Sequence, residues 1–232
     1  MKPLSLFLLV SCQAFLHLSS FSQANSIPFA TDGNSRPLYL KKEYAMEGSP
    51  FYPADPCFAN IQMKNGKRYE NIKLRFYLPD EQLIYQDSEG VDMITTVPIE
   101  RITFICCTGI TGSLIFQSGF PPVDGHSDKT FYQVLDTGRT KLLKGYQVTY
   151  RDNTAYGSAS PTRTYEQTET LYAFNPVLGI RKLTKNKEAV LQFLPDKKKE
   201  VENFITTHHL TCKHEEDLVK VFAWYNTIAG KS

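Results

Sequence analysis

Two neighbouring cysteines, Cys106 and Cys107, close the apolar run ERITFICC. Vicinal thiols invite a redox or metal reading. In an extended strand, however, successive side chains point to opposite faces. Cys106 would then join Ile102 and Phe104, and Cys107 would join Thr103 and Ile105. Adjacent α-carbons are about 3.8 Å apart across a trans peptide, short of the roughly 4.4–6.8 Å that a disulfide spans. The C-x-x-C spacing of a thioredoxin-like pair is missing as well. Two packed strand thiols are the simpler reading, since a thiol packs like a small hydrophobe.

A second group is His208, His209, Cys212 and His214 in HHLTCKHEE. Imidazole and thiolate suit zinc or copper. The chain has 5 histidines, one of them at His17, and three of the other four sit here. Against a metal, the segment joins two helical patterns without finger spacing, and histidine near a helix C-terminus is favourable on electrostatic grounds alone. A third group, His126, Ser127 and Asp128, has hydrolase residue types, but a triad is defined by geometry and not by adjacency. No G-x-S-x-G elbow, Walker loop, H-E-x-x-H or dinucleotide fingerprint is present. LPDKKKE reads as a solvated helix start, or as a contact to anionic lipid or glycan. No catalytic, cofactor or metal residue is assigned from the sequence.

The elements that would position these groups follow from the bulk and the pattern. The chain has 232 residues with 41% hydrophobic and 22% charged, an ordinary balance for a folded protein. The 13 Tyr and 15 Phe favour strands. Lys and Arg total 26 against 24 Asp and Glu, which leaves no broad field for nucleic acid. Residues 1–24 have Lys2, an apolar core and the small-residue ending Ser22-Gln23-Ala24. This is the pattern of a secretory signal peptide cut after Ala24. Leu9-Val10-Ser11-Cys12 offers an alternative, a lipoprotein anchored through Cys12. No other run is long and apolar enough for a transmembrane helix. Removal of Cys12 leaves Cys57, Cys106, Cys107 and Cys212 in a compartment where disulfides persist. Cys57–Cys106 with Cys107–Cys212, Cys57–Cys107 with Cys106–Cys212, one bridge or none all remain open.

Residues 25–46 read as a loose leader. Residues 47–183 read as an antiparallel β-domain. Asn65-Gly66 between two extended runs predicts a hairpin with a type I′ turn. Past it, Tyr69 is out of step with Ile72, Leu74 and Phe76, which predicts a bulge near Glu70-Asn71. Lys73, Arg75 and Tyr77 then face solvent. Further hairpins are expected at residues 136–139 and at Asn175-Pro176. From residue 184 to 230 the period becomes helical. Ala189, Val190, Phe193 and Leu194 fit a short helix that Pro195 stops, and Asp196 is placed to cap a second. Leu218, Val221, Phe222, Tyr225 and Ile228 give a third helix its apolar face. The fold class expected is α+β, mainly β: an antiparallel meander, as a partly open barrel or sandwich, with a small C-terminal helical cap.

The stretches ANIQMKNGKRYENIKLRFYLPDEQLIY, FYQVL…LLKGY and KKEVENFI…EEDLVKVFAWYN resemble exported proteins of unknown function common in Bacteroidota. The resemblance implies a periplasmic, envelope-associated or extracellular location and this fold type, with no catalytic residues to transfer. The functional expectation is a non-enzymatic module that binds an envelope protein, lipid or glycan through a sheet face or edge. Tyr77, Tyr146 and Tyr150 are where an exposed aromatic patch is sought. The alternatives are a secreted hydrolase, a metal-binding protein built on His208, His209, Cys212 and His214, and a structural element of a larger envelope assembly.

Overall fold

The computed structural model describes residues 35–37 and 45–229, except 88–89, 107–113, 155 and 157–159, and gives backbone only at 35–37 and 106. Residues 1–24, expected as a signal peptide, and Cys12 and Cys107 lie outside these residues. Most of the chain enters one large open sheet that does not close. Its strands are β1 (Ser35–Pro37), β2 (Ala45–Glu47), β3 (Phe51–Met63), β4 (Arg68–Tyr77), β5 (Gln82–Gln86) and β6 (Asp92–Thr95). Then come β7 (Ile99–Cys106), β8 (Leu114–Gln117), β9 (Tyr132–Asp136), β10 (Lys141–Asn153), β11 (Thr162–Asn175) and β12 (Gly179–Lys182). The spatial order is β1-β6-β5-β4-β3-β7-β8-β9-β10-β11-β12. Every pair along it is antiparallel, and only β2 on β11 is parallel. The fold is thus mainly β with a C-terminal helical cap, as the strand-then-helix pattern predicts. The span 25–46, expected as a loose leader, contributes β1 and β2 to the sheet.

Local chemistry explains the first hairpin, with one change. Gly66 has φ of 85°, but Asn65 stays out of the left-handed region. The Gly66 amide donates to Met63 O at 2.9 Å, and the Met63 amide donates to Lys67 O at 2.9 Å. This is the longer connection with one left-handed glycine, and not the type I′ turn expected there. A turn with both central residues at positive φ occurs instead at Asp124 (49°) and Gly125 (83°). The bulge falls where the parity slip puts it. Ala59 faces Ile72 and Ile61 faces Tyr69, so β4 carries one extra residue. Asn71 absorbs it at φ 58°, and its amide donates to Asn60 Oδ1 at 3.0 Å. Tyr69, Ile72, Leu74 and Phe76 are all buried as a result.

Three helices follow: α1 (Lys187–Phe193), α2 (Lys198–Thr207) and α3 (Glu215–Ala229). Asn186 caps α1 by accepting the Ala189 amide at 2.7 Å. Asp196, expected to cap α2, does not. It sits in a 3-10 turn, Pro195–Lys197, and gives α2 no side-chain cap. The apolar stripe of α3, Leu218, Val221, Phe222 and Tyr225, is buried as its spacing predicts.

The core has a clear division. One face of β3, β4, β5, β7 and β8 gathers Ala59, Ile61, Leu74, Tyr85, Phe104 and Phe116, with Tyr146 from β10. Further along the sheet, Leu142, Leu171 and Ala173 pack under the three helices. The reverse face of this second region, with Tyr132, Leu143, Tyr172 and Ile180, is covered by Phe120 and Val123. Alternation along β10 sends Leu142 to one layer and Leu143 to the other. Among the described residues, no helix is long and apolar enough to cross a membrane.

Candidate functional site

The histidine–cysteine segment is a structural turn. Cys212 is fully buried among the helices as a free thiol, and burial, followed by nearby Asp217, pushes its pKa up. That is the opposite of an activated thiolate. Asp217 in the first turn of α3 accepts from the Thr211 amide and hydroxyl at 2.8 Å each and from the Cys212 amide at 3.1 Å. The Thr211 hydroxyl is the main cause of an Asp217 pKa below the usual carboxylate range. His208 lies against the Phe204 ring at 4.1 Å. Among the described residues, no three His, Cys, Asp or Glu side chains gather as a metal site.

The free Cys212 removes both two-bridge patterns, because each needed it as a partner. Cys57 is disulfide-bonded, and no bond joins it to another described cysteine side chain. The Cys106 backbone stands opposite Phe58, the residue after Cys57.

His126, Ser127 and Asp128 do not converge. The His126 ring packs on Tyr132 at 5.6 Å and Tyr172 at 5.8 Å. Ser127 Oγ accepts the Lys129 amide at 3.2 Å. Asp128 faces Lys64 at 3.7 Å. Of the three tyrosines sought on the surface, only Tyr150 is there, 53% exposed. Tyr146 is buried with Tyr52 and Phe116, and its hydroxyl donates to Gln133. Tyr77, expected to face solvent, packs on Phe51 at 5.3 Å, and the Arg75 guanidinium stacks on the same Phe51 ring. The strands β5 and β6 bury Ile84 and Ile94 beside that ring, which gives Tyr77 a layer the sequence did not predict.

One recess lies where the β9–β10 and β11–β12 turns meet α3. It is a cleft of about 400 Å³ lined by Gly138, Arg139, Thr140, Asn175, Val177, Leu178, Pro195, Asp196, Tyr225, Asn226 and Ala229. Its floor is a closed set of hydrogen bonds. Asn226 Nδ2 donates to Asp136 Oδ2 at 2.6 Å and Thr140 O at 2.8 Å, and Asn226 Oδ1 accepts the Thr140 amide at 3.1 Å. Asn175 Nδ2 donates to Thr140 Oγ1 at 2.9 Å. Gly138 is required by close approach: a β-carbon there would sit 2.0 Å from Asn226 Nδ2. The Tyr225 hydroxyl donates to both Asp196 oxygens, at 3.0 and 3.1 Å. Burial, then Asp196, raises its pKa.

The rim is different. Val177 is 80% exposed and Leu178 36%, at a turn tip. Asn175 Oδ1 holds that tip by accepting the Val177 and Leu178 amides. Val177 thus puts an apolar side chain largely into solvent at a hairpin tip, where polar residues usually stand. Away from the cleft, Lys144 fastens the start of α3 to the sheet. Its ammonium meets Glu215 at 2.7 Å and Glu169 at 3.2 Å. Burial works against the charge, but the Glu215 and Glu169 carboxylates outweigh it and hold the Lys144 pKa above its ordinary value.

None of the cleft residues was singled out in the sequence as a site. The one available signal was Val177-Leu178 in a turn after Asn175-Pro176, a position with no strand face to fill. A second recess of about 420 Å³ lies at the strand end, between Lys64, Glu81, Val97, Lys129 and Phe131. No family model, curated protein or solved structure matches the chain.

Proposed function

We propose that the protein is an exported, non-enzymatic binding module of the cell envelope, working in the periplasm or at an envelope surface. The N-terminal pattern and the resemblance to exported Bacteroidota proteins supply the compartment. The observation that carries the binding assignment is the cleft at α3, with its preformed polar floor and the exposed Val177 and Leu178 on its rim. Binding sites combine an apolar wall with a few fixed polar groups. Here the floor groups already satisfy one another, so the shape persists without a ligand. A nucleophile held by a base, which acyl transfer would need, is not assembled from His126, Ser127 and Asp128. The alternative of a secreted hydrolase or a metal-binding protein on His208, His209, Cys212 and His214 has no supporting convergence.

In-cell crosslinking of the envelope fraction, followed by mass spectrometry, tests this. Crosslinks from Lys141 or other residues beside the cleft to one envelope component are the expected result. Recovery of the full-length precursor as the stable cytosolic form would sink the reading.

A further inference from the structure

Arg139 and Asp196 line the same cleft and carry opposite charges, yet they form no ion pair with each other. Arg139 is exposed, and among the described residues it makes no hydrogen bond or ion pair. Among the described residues Asp196 receives only the Tyr225 hydroxyl, which leaves lone pairs on both carboxylate oxygens. The same lining includes the apolar Val177, Leu178 and Pro195. We infer that the cleft binds a zwitterion with an apolar side chain, either a free apolar α-amino acid or a short apolar peptide.

The guanidinium takes the carboxylate, because its planar fork matches two oxygens. Asp196 takes the ammonium, and the aliphatic side chain covers Val177 and Leu178. A single anion would meet Asp196 unfavourably, and a single cation would meet Arg139. Only a molecule with both charges satisfies both residues. The volume of about 400 Å³ falls within the roughly 300–1,000 Å³ of small-molecule sites. The inference rests on the binding-module reading and names the ligand chemistry of that same cleft.

Calorimetric titration of the whole chain with leucine, dileucine, N-acetyl-leucine and leucinamide tests it. Saturable binding of leucine or dileucine is expected, with blocking of either end weakening it about ten-fold or more through a lost charge-assisted contact. Tighter binding of dileucine assigns the cleft to peptides, and tighter binding of leucine assigns it to free amino acids. Arg139→Gln should erase the difference between leucine and leucinamide. Asp196→Asn should erase the difference between leucine and N-acetyl-leucine. Both side chains are exposed, and the blocked probes on the unaltered protein decide the matter even if a variant folds poorly. The inference is overturned if no probe binds, if blocked probes bind as tightly, or if the variants keep the discrimination. Envelope crosslinks together with a blank titration would overturn this inference and leave the module reading intact. Saturable binding without any envelope partner would do the reverse.

Discussion

Two clefts of nearly equal size, about 400 and about 420 Å³, sit at opposite kinds of junction. The strand-end cleft is walled by turns of the sheet itself. At its rim Lys64 faces Asp128 at 3.7 Å and Glu81 accepts from Thr130 Oγ1 at 3.2 Å, while the Lys129 ammonium has no ion pair among the described residues. The helix-end cleft forms where α3 docks on two hairpin turns, and Arg139 and Asp196 in its lining form no ion pair with each other. Equal volume therefore does not mean equal capacity to bind. What separates the two is the apolar rim: Val177 and Leu178 are exposed at the helix end, and no large apolar side chain lining the strand-end cleft is exposed among the described residues.

The comparison breaks most decisively at Phe222, fully buried on the inner face of α3. Phe222→Ala should cost about 3–5 kcal/mol and release the helical cap first. Limited proteolysis should then cut beyond residue 184 while β3, β4 and β7 stay protected. Equal protection of both regions would show that the two clefts are not independent. Lys144→Ala comes next, at about 2–3 kcal/mol, because it removes a nearly buried ammonium that bonds the partly exposed Glu215 and Glu169. Its raised pKa gives a sign that can be checked. The favourable contribution is complete below the unfolded value of about 10.4 and fades as pH rises through the higher folded value. The thermal midpoint of the native protein should fall at strongly alkaline pH more than that of Lys144→Met.

Asn226→Ala sharpens the comparison at the cleft itself. It removes the amide that ties α3 to the β9–β10 turn, for about 1–3 kcal/mol. Leucine binding at the helix end should disappear while the strand end is untouched. The smallest effect is expected for Lys64→Ala. Its exposed pair with Asp128 is worth about 0–1 kcal/mol, and the change should shrink further in high salt. A loss well above that, read by denaturant titration, would show that the strand-end rim carries more of the fold than its geometry indicates.

Much of the architecture was legible because it depends on near neighbours. The bulge at Asn71 follows from a parity slip. The hairpins at residues 136–139 and Asn175-Pro176 follow from turn chemistry, and the buried face of α3 follows from helical spacing. Illegible were features set by distant partners. Tyr77 and Tyr146 alternate like solvent-facing residues but acquire covers from Phe51 and Tyr52. Asp196 has the residue type and position of a cap, yet the Tyr225 hydroxyl claims it across a fold that no local rule encodes. Cys212 sits among ligand-type histidines but turns into the helical core.

The amino-acid order alone determined the run of strands, the turns between them and the helical stripe, since backbone preference and hydrophobic period act over a few residues. Only the tertiary structure decided which polar side chains converge. Arg139, Asn175, Asp196 and Asn226 come from four separate segments, and their meeting depends on how α3 settles across two turns. Packing of the whole chain sets that docking, so the cleft could not be read from any one stretch.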